Sequence, residues 1–124
     1  MNGNNLLLDT NILIYLLTGE SSLVDILFEN NCYISFITEL ELLSFYNINH
    51  ENEKIQPLLD DLTIIDINNT IKSNVIEVRK KNKLKLPDSI IAATSKYLNI
   101  PLLTADLAFE KLDDVDVIIF NLRN

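Results

Sequence analysis

The chain has 124 residues, 48% of them hydrophobic, which fits one domain spanning 1–124 whose core needs no staples. A lone cysteine, Cys32, excludes an internal disulfide and with it a disulfide-dependent secreted scaffold. The formal net charge of -8 argues against broad attraction to RNA or an anionic membrane, so a nucleic-acid reading needs local features that offset it.

At the start, Met1-Asn2-Gly3-Asn4-Asn5 lacks the basic opening of a signal peptide. The apolar run 6–17 is broken by Asp9, Thr10 and Asn11, short of a membrane span. The expectation is a cytoplasmic protein with no membrane association. Apolar run 6–8 predicts a strand, 11–17 and 22–29 predict helices, and 32–35 predicts a core strand that carries Cys32 as a buried structural thiol. A helix is expected over 38–46, then a polar loop at 47–51 with the lone histidine, His50, then a helix over 53–62 and a strand over 63–67.

Helix 70–82 carries the stripe Ile71, Val75 and Val78, and helix 87–98 carries Ile90, Ile91, Thr94, Tyr97 and Leu98. Pro87 suits the first helical position, and Pro101 blocks continuation into the next strand. A strand at 102–104, a short helix near 107–112 and a strand at 117–119 complete the pattern. Strand-like runs alternating with helical stretches are the mark of βα units. The fold class expected is a three-layer α/β/α sandwich with a mainly parallel, about five-stranded sheet.

In such sheets ligands bind beyond the carboxyl ends of the strands, which gives weight to Asp9 after the first strand and Asp106 after 102–104. Asp88 falls in the first turn of its helix and Glu41 in the first turns of another, so four carboxylates can converge. Each also has a purely structural explanation. Asp9, Asp88 and Asp106 suit helix N-termini, and Thr38-Glu39-Leu40-Glu41 matches a capping box. One cap per helix does not explain why all four acids should gather at one sheet edge.

Competing chemistries are thin. A single histidine offers no pair for metal-free RNA transesterification, no Ser-His-Asp arrangement is evident, and with two glycines there is no phosphate-cradling loop. What remains is hard oxygen-ligand chemistry suited to Mg2+ or Mn2+. Carboxylates loaded with such cations become locally positive. Five of the ten basic residues, Arg79, Lys80, Lys81, Lys83 and Lys85, also lie in one stretch. That stretch reads either as an RNA-phosphate contact or as a solvated helix end complementing the macrodipole.

Four segments in order, Leu6-Leu7-Leu8-Asp9-Thr10-Asn11, Ser35-Phe36-Ile37-Thr38-Glu39-Leu40-Glu41-Leu42-Leu43, Leu86-Pro87-Asp88-Ser89-Ile90-Ile91-Ala92-Ala93-Thr94 and Leu103-Thr104-Ala105-Asp106-Leu107-Ala108-Phe109, resemble the PIN-domain nucleases, especially the VapC-like toxins of bacterial toxin-antitoxin operons. The resemblance covers nearly the whole chain. It implies a metal-dependent endoribonuclease with Asp9, Glu41, Asp88 and Asp106 as its acidic quartet, Glu41 rather than Glu39 taking the catalytic place because Leu42-Leu43 follows it. Asp9 would be the central ligand, Asp88 and Asp106 would complete Mg2+ or Mn2+ coordination, and Glu41 would bind the metal or orient and deprotonate water. Asn11 and Thr104 would hold the carboxylates in place.

The partners implied are an RNA substrate, a cognate antitoxin and a second copy in a homodimer. The sequence departs from the family at Ala105, often basic there, and at Ala108, often acidic, which leaves Asp106 as the final acid. The rivals are a PIN fold without catalysis that binds RNA or protein, and a phosphoacceptor receiver domain. The receiver fits worse, because Asp9 is not one of a pair of acids and no lysine closely follows 117–119.

Overall fold

Residues 5–8, 31–35, 63–65, 102–104 and 117–119 form one all-parallel sheet in a computed structural model that describes residues 4–46 and 52–121. His50 and the start at Met1 to Gly3 lie outside the described residues. The elements are β1 (Asn5–Leu8), α1 (Thr10–Leu17), α2 (Val24–Glu29), β2 (Asn31–Ser35), α3 (Phe36–Tyr46), α4 (Asn52–Asp60), β3 (Thr63–Ile65), α5 (Asn69–Lys81), α6 (Leu86–Leu98), β4 (Leu102–Thr104) and β5 (Val117–Ile119).

The strand order is β3-β2-β1-β4-β5, with Leu7 paired to Leu102 and Leu6 to Cys32. The chain winds outward through β2 and β3, then returns to the other side of β1 through β4 and β5. The winding therefore reverses between β1 and β4, and it is outside the carboxyl ends of strands at such a switch point that open parallel sheets bind ligands.

Both faces of the sheet are covered, as the unbroken apolar character of the central strands requires. Side chains alternate along a strand. Leu6 and Leu8 enter a core with Ile12 and Leu13 of α1, Leu42 of α3 and Ile55 and Leu59 of α4. Leu7 enters the opposite core with Val78 of α5, Ile91 and Ala92 of α6, and Phe109. This is the α/β/α sandwich of the sequence reading. Burying one leucine contributes about 1.5–3 kcal/mol, more than a typical hydrogen bond at about 1 kcal/mol, so packing rather than polar contacts fixes β1.

Several boundaries differ from expectation. Helix α3 begins at Phe36, not residue 38, because Ser35 Oγ at the end of β2 accepts the Ile37 N–H at 3.2 Å and starts the helix early. Strand β3 stops at Ile65 rather than 67, where the Asp66 carboxylate takes the Ile67 N–H at 2.8 Å and draws it from any ladder. The helix expected over 22–29 is a 3-10 turn, Ser21–Leu23, followed by α2, and that expected near 107–112 is one 3-10 turn, Leu107–Phe109. The helix expected over 53–62 is α4, ending at Asp60.

Pro87 is the second residue of α6, and Asn99 in the left-handed region (φ 55) ends that helix before Pro101 is reached. Tyr97 is exposed, while Ser89, Ala92, Ala93 and Ser95 are buried: small side chains let α6 lie close between the sheet and α5. No described helix is long and apolar enough to cross a membrane.

Candidate active site

Asp9 is the first residue past β1. Its backbone N–H donates to the Leu103 carbonyl at 2.9 Å, which seats it between β1 and β4. Asp9 is 5% exposed, and its carboxylate accepts hydrogen bonds from three donors. Oδ1 accepts from the Thr10 N–H at 2.8 Å, and Oδ2 accepts from the Thr104 hydroxyl at 2.6 Å and the Asn11 amide at 3.1 Å. Burial pushes Asp9 up to about 6 from 3.8; the bonds from Thr104 and Thr10 oppose this, and the charges of Asp88 and Asp106 add to it.

The other acids arrive from separate elements. Asp88, in the first turn of α6, is also held above the ordinary carboxylate range, first by burial and then by the charges of Asp106 and Glu41, with Lys85 opposing. Asp106 caps the 3-10 turn, its Oδ1 accepting the Ala108 N–H at 2.9 Å, while its own N–H donates to Thr104 Oγ1 at 3.0 Å. Glu41, on α3, accepts the Thr10 hydroxyl on Oε1 at 2.6 Å. Asp9 and Asp88 each feel Asp106, Asp88 feels Glu41, and Asp9 feels Asp88, so the charges of all four acids are linked.

Some capping explanations hold and one fails. Asp9 and Asp106 do cap the elements that follow them. The capping box at Thr38 does not exist, since Thr38 lies inside α3, fully buried, and Glu41 is in its second turn. Asn11 bridges the two strand ends, donating to Asp9 and accepting the Ala105 N–H at 3.2 Å. Thr10 and Thr38 carry no sequence mark of a shared role. The only signal for Thr10 is its place beside Asp9, and the spacing of Thr38 from Glu41 pointed to a cap.

Oxygen donors, mutual repulsion and a carboxylate held protonatable near neutrality are what a divalent cation would relieve, and a hard donor set suits Mg2+ or Mn2+. Among the described residues no three His, Cys, Asp or Glu side chains are drawn into a ready-made cage. Asp9, Glu41 and Asp106 each accept hydrogen bonds from neighbouring donors instead. Cys32 takes no part: it is buried, and burial pushes its thiol up to about 11.

The basic stretch divides. Arg79, Lys80 and Lys81 occupy the last turn of α5, and Lys83 and Lys85 the linker to α6, all exposed. Lys81 pairs with Asp114 at 3.3 Å. Lys85, immediately before α6, is the one whose charge reaches Asp88. Arg79 and Lys80 line an open groove with Val75, Ile76 and Leu86.

The pattern of the PIN domain family matches residues 6–115. The chain belongs to the PIN domain family. This PIN domain is similar to a chain of a toxin-antitoxin complex from Klebsiella pneumoniae, at 31% identity and a TM-score of 0.81, over 90% of this chain and 94% of that one. It shares its fold with a chain of VapBC2 from Rickettsia felis bound to a DNA fragment from their promoter (21% identity, TM-score 0.82, 94% and 99% covered). The same holds for a chain of DNA-bound VapBC from Salmonella typhimurium (18%, 0.79, 94% and 98%). Comparison with curated proteins finds no match.

Proposed function

We propose that this PIN domain is a divalent-metal-dependent endoribonuclease, hydrolysing RNA phosphodiester bonds as the toxin of a toxin-antitoxin pair. The observation that carries the reading is Asp9: a buried carboxylate held by three donors where β1 and β4 end, electrostatically linked to Asp88 and Asp106. Burying an acid against other acids costs stability, and such an arrangement is expected where the charge is used.

Asp9, Asp88 and Asp106 would hold Mg2+ or Mn2+, which when bound supplies Lewis-acid stabilisation of the scissile phosphate and lowers the pKa of water. Glu41 would orient the attacking water and accept its proton. Thr104 and Asn11 fix the Asp9 carboxylate, and Thr104 also holds the Asp106 backbone. Lys85, with Arg79, Lys80 and Lys83, would steer RNA phosphates toward Asp88 and offset the net charge.

Partner binding follows the same chemistry. An anionic site attracts a basic side chain from an antitoxin. Exposed Phe28 (85%), Leu107, Ile76 and Leu86 leave apolar surface for that partner and for a second copy in a homodimer. An RNA substrate and an antitoxin made beside the toxin would both be met in the cytoplasm, where the protein would act.

The test is incubation of EDTA-stripped protein with total RNA, with and without manganese, alongside Asp88→Asn, followed by mapping of the cut ends. Manganese-dependent cleavage lost in Asp88→Asn is expected. Failure of the folded wild-type protein to cut any RNA with manganese overturns the reading and leaves an RNA-binding or interaction module.

A further inference from the structure

Glu41 and Asp9 sit on different elements, each linked electrostatically to Asp88, and are both held by the same residue. The Thr10 N–H donates to Asp9 Oδ1 at 2.8 Å, while the Thr10 hydroxyl lies 2.6 Å from Glu41 Oε1 and 3.1 Å from Thr38 Oγ1. A hydroxyl has one proton and a carboxylate only accepts. The proton of Thr10 therefore goes to Glu41, the stronger acceptor, and Thr38 must give its own proton to Thr10. The result is a directed relay, Thr38 to Thr10 to Glu41, running from inside α3 across to α1 and back to α3.

Its inner member is fully buried and its middle member half-buried. The relay is short, and hydrogen bonds that end on a charge are stronger than neutral ones.

We propose that Thr10 is a positioning residue that fixes Glu41 relative to Asp9, and that Thr38 sets the direction of its hydroxyl. A side chain as long as glutamate has three rotatable bonds and would otherwise turn away from like charges. Thr10 removes that freedom while its backbone holds the neighbouring acid, so one residue sets the spacing of two. This rests on the proposed nuclease function, in which Glu41 must meet a water or a cation held by Asp9.

The relay makes a prediction that a merely structural threonine would not. Thr10→Val keeps shape and removes the hydroxyl. It should weaken manganese binding, measured by calorimetric titration of the stripped protein, or the cleavage rate, by about 10- to 100-fold, the usual effect of losing a partner that orients a ligand. The protein should still fold, with a thermal midpoint lowered only as the loss of one hydrogen bond to a carboxylate entails, and the KM for RNA should stay near wild type, because the RNA surface is not touched. Thr10→Ser, which restores the hydroxyl, should recover most of the loss. Thr38→Val should give a smaller loss of the same kind.

The outcomes separate the two claims. A wild-type protein that neither binds manganese nor cuts RNA removes the function and the inference with it. A wild-type protein that does both, beside a Thr10→Val protein that does both equally well, overturns the inference alone. Should Thr10→Val fail to fold, Thr38→Val, an isosteric change at a buried site, decides: undiminished binding and cleavage there overturn the relay.

Discussion

Thr104 Oγ1 donates to Asp9 Oδ2 at 2.6 Å, joining the ends of β1 and β4 across 95 positions of sequence. The same oxygen accepts the Asp106 N–H at 3.0 Å. Thr104→Val keeps the volume and leaves both groups short of a partner. A hydrogen bond to a charged group contributes about 1.5–3 kcal/mol, and urea unfolding at pH 7.5 should show a loss of that size. Thr104→Ser should retain most of the stability. A Thr104→Val protein as stable as wild type would mean that water or Asn11 replaces the bond at no cost.

Asp9 makes stability depend on pH in an unusual direction. Its folded value, about 6, lies above the unfolded 3.8. Below about pH 4 both states hold the proton and nothing is lost. Above about 6 both are ionised and the folded state bears the whole penalty, about 3 kcal/mol for that displacement. The contribution of this group to stability thus falls as pH rises through that window, and the raised Asp88 acts in the same sense. In EDTA, the stability of Asp9→Asn minus that of wild type should grow by up to about 3 kcal/mol between pH 4 and 7.5. A difference independent of pH would show that Asp9 titrates normally.

Glu41→Gln separates charge from structure. With no capping box at Thr38, the amide has no cap to preserve, and it still accepts the Thr10 hydroxyl. The protein should fold with its thermal midpoint unchanged or slightly raised, since one of several repelling charges is gone. Manganese-supported cleavage should fall by about 10²- to 10⁴-fold, as for loss of a general base. Glu39→Gln, on the same helix but outside the acid cluster, is the control. Wild-type cleavage by Glu41→Gln would remove Glu41 from the chemistry.

Lys81 and Lys85 should behave differently. Lys81 is already engaged by Asp114, while Lys85 reaches Asp88 electrostatically. Titrating single-stranded RNA at several salt concentrations, Lys85→Ala should lower the slope of log affinity against log salt by about 0.7, one phosphate contact. Lys81→Ala should leave it unchanged. Equal effects would return the whole stretch to a diffuse, solvated helix end.

The parts of this molecule legible in sequence are those encoded by neighbours. Leu6-Leu7-Leu8 reads as a buried strand because both its faces are covered, and Asp9 stands out because it ends that run. The same logic places Asp106 after β4. The illegible parts turn on single side-chain hydrogen bonds that apolar periodicity does not register, two of them local and one between distant residues. Ser35 is at once the last residue of β2 and the cap that starts α3, so the helix begins before any spacing announces it. Ile67 has the character of a strand residue, but Asp66 captures its N–H. The bond from Thr10 to Glu41 spans 31 positions, and no local pattern encodes it.

The place of β1 in the sheet orders events during synthesis. The first strand made is the central one, and one of its two neighbours, β4, is among the last. An incomplete polypeptide that stops short of Leu102 carries Asp9, Glu41 and Asp88, yet it lacks the strand whose Thr104 aims the first of them and the Asp106 that follows. Such long-range pairing also closes slowly, because the intervening loop must be brought together before any contact rewards it. A fragment released early therefore lacks the finished site, and the four acids share one edge of the sheet only after residues 102–106 have threaded in beside β1.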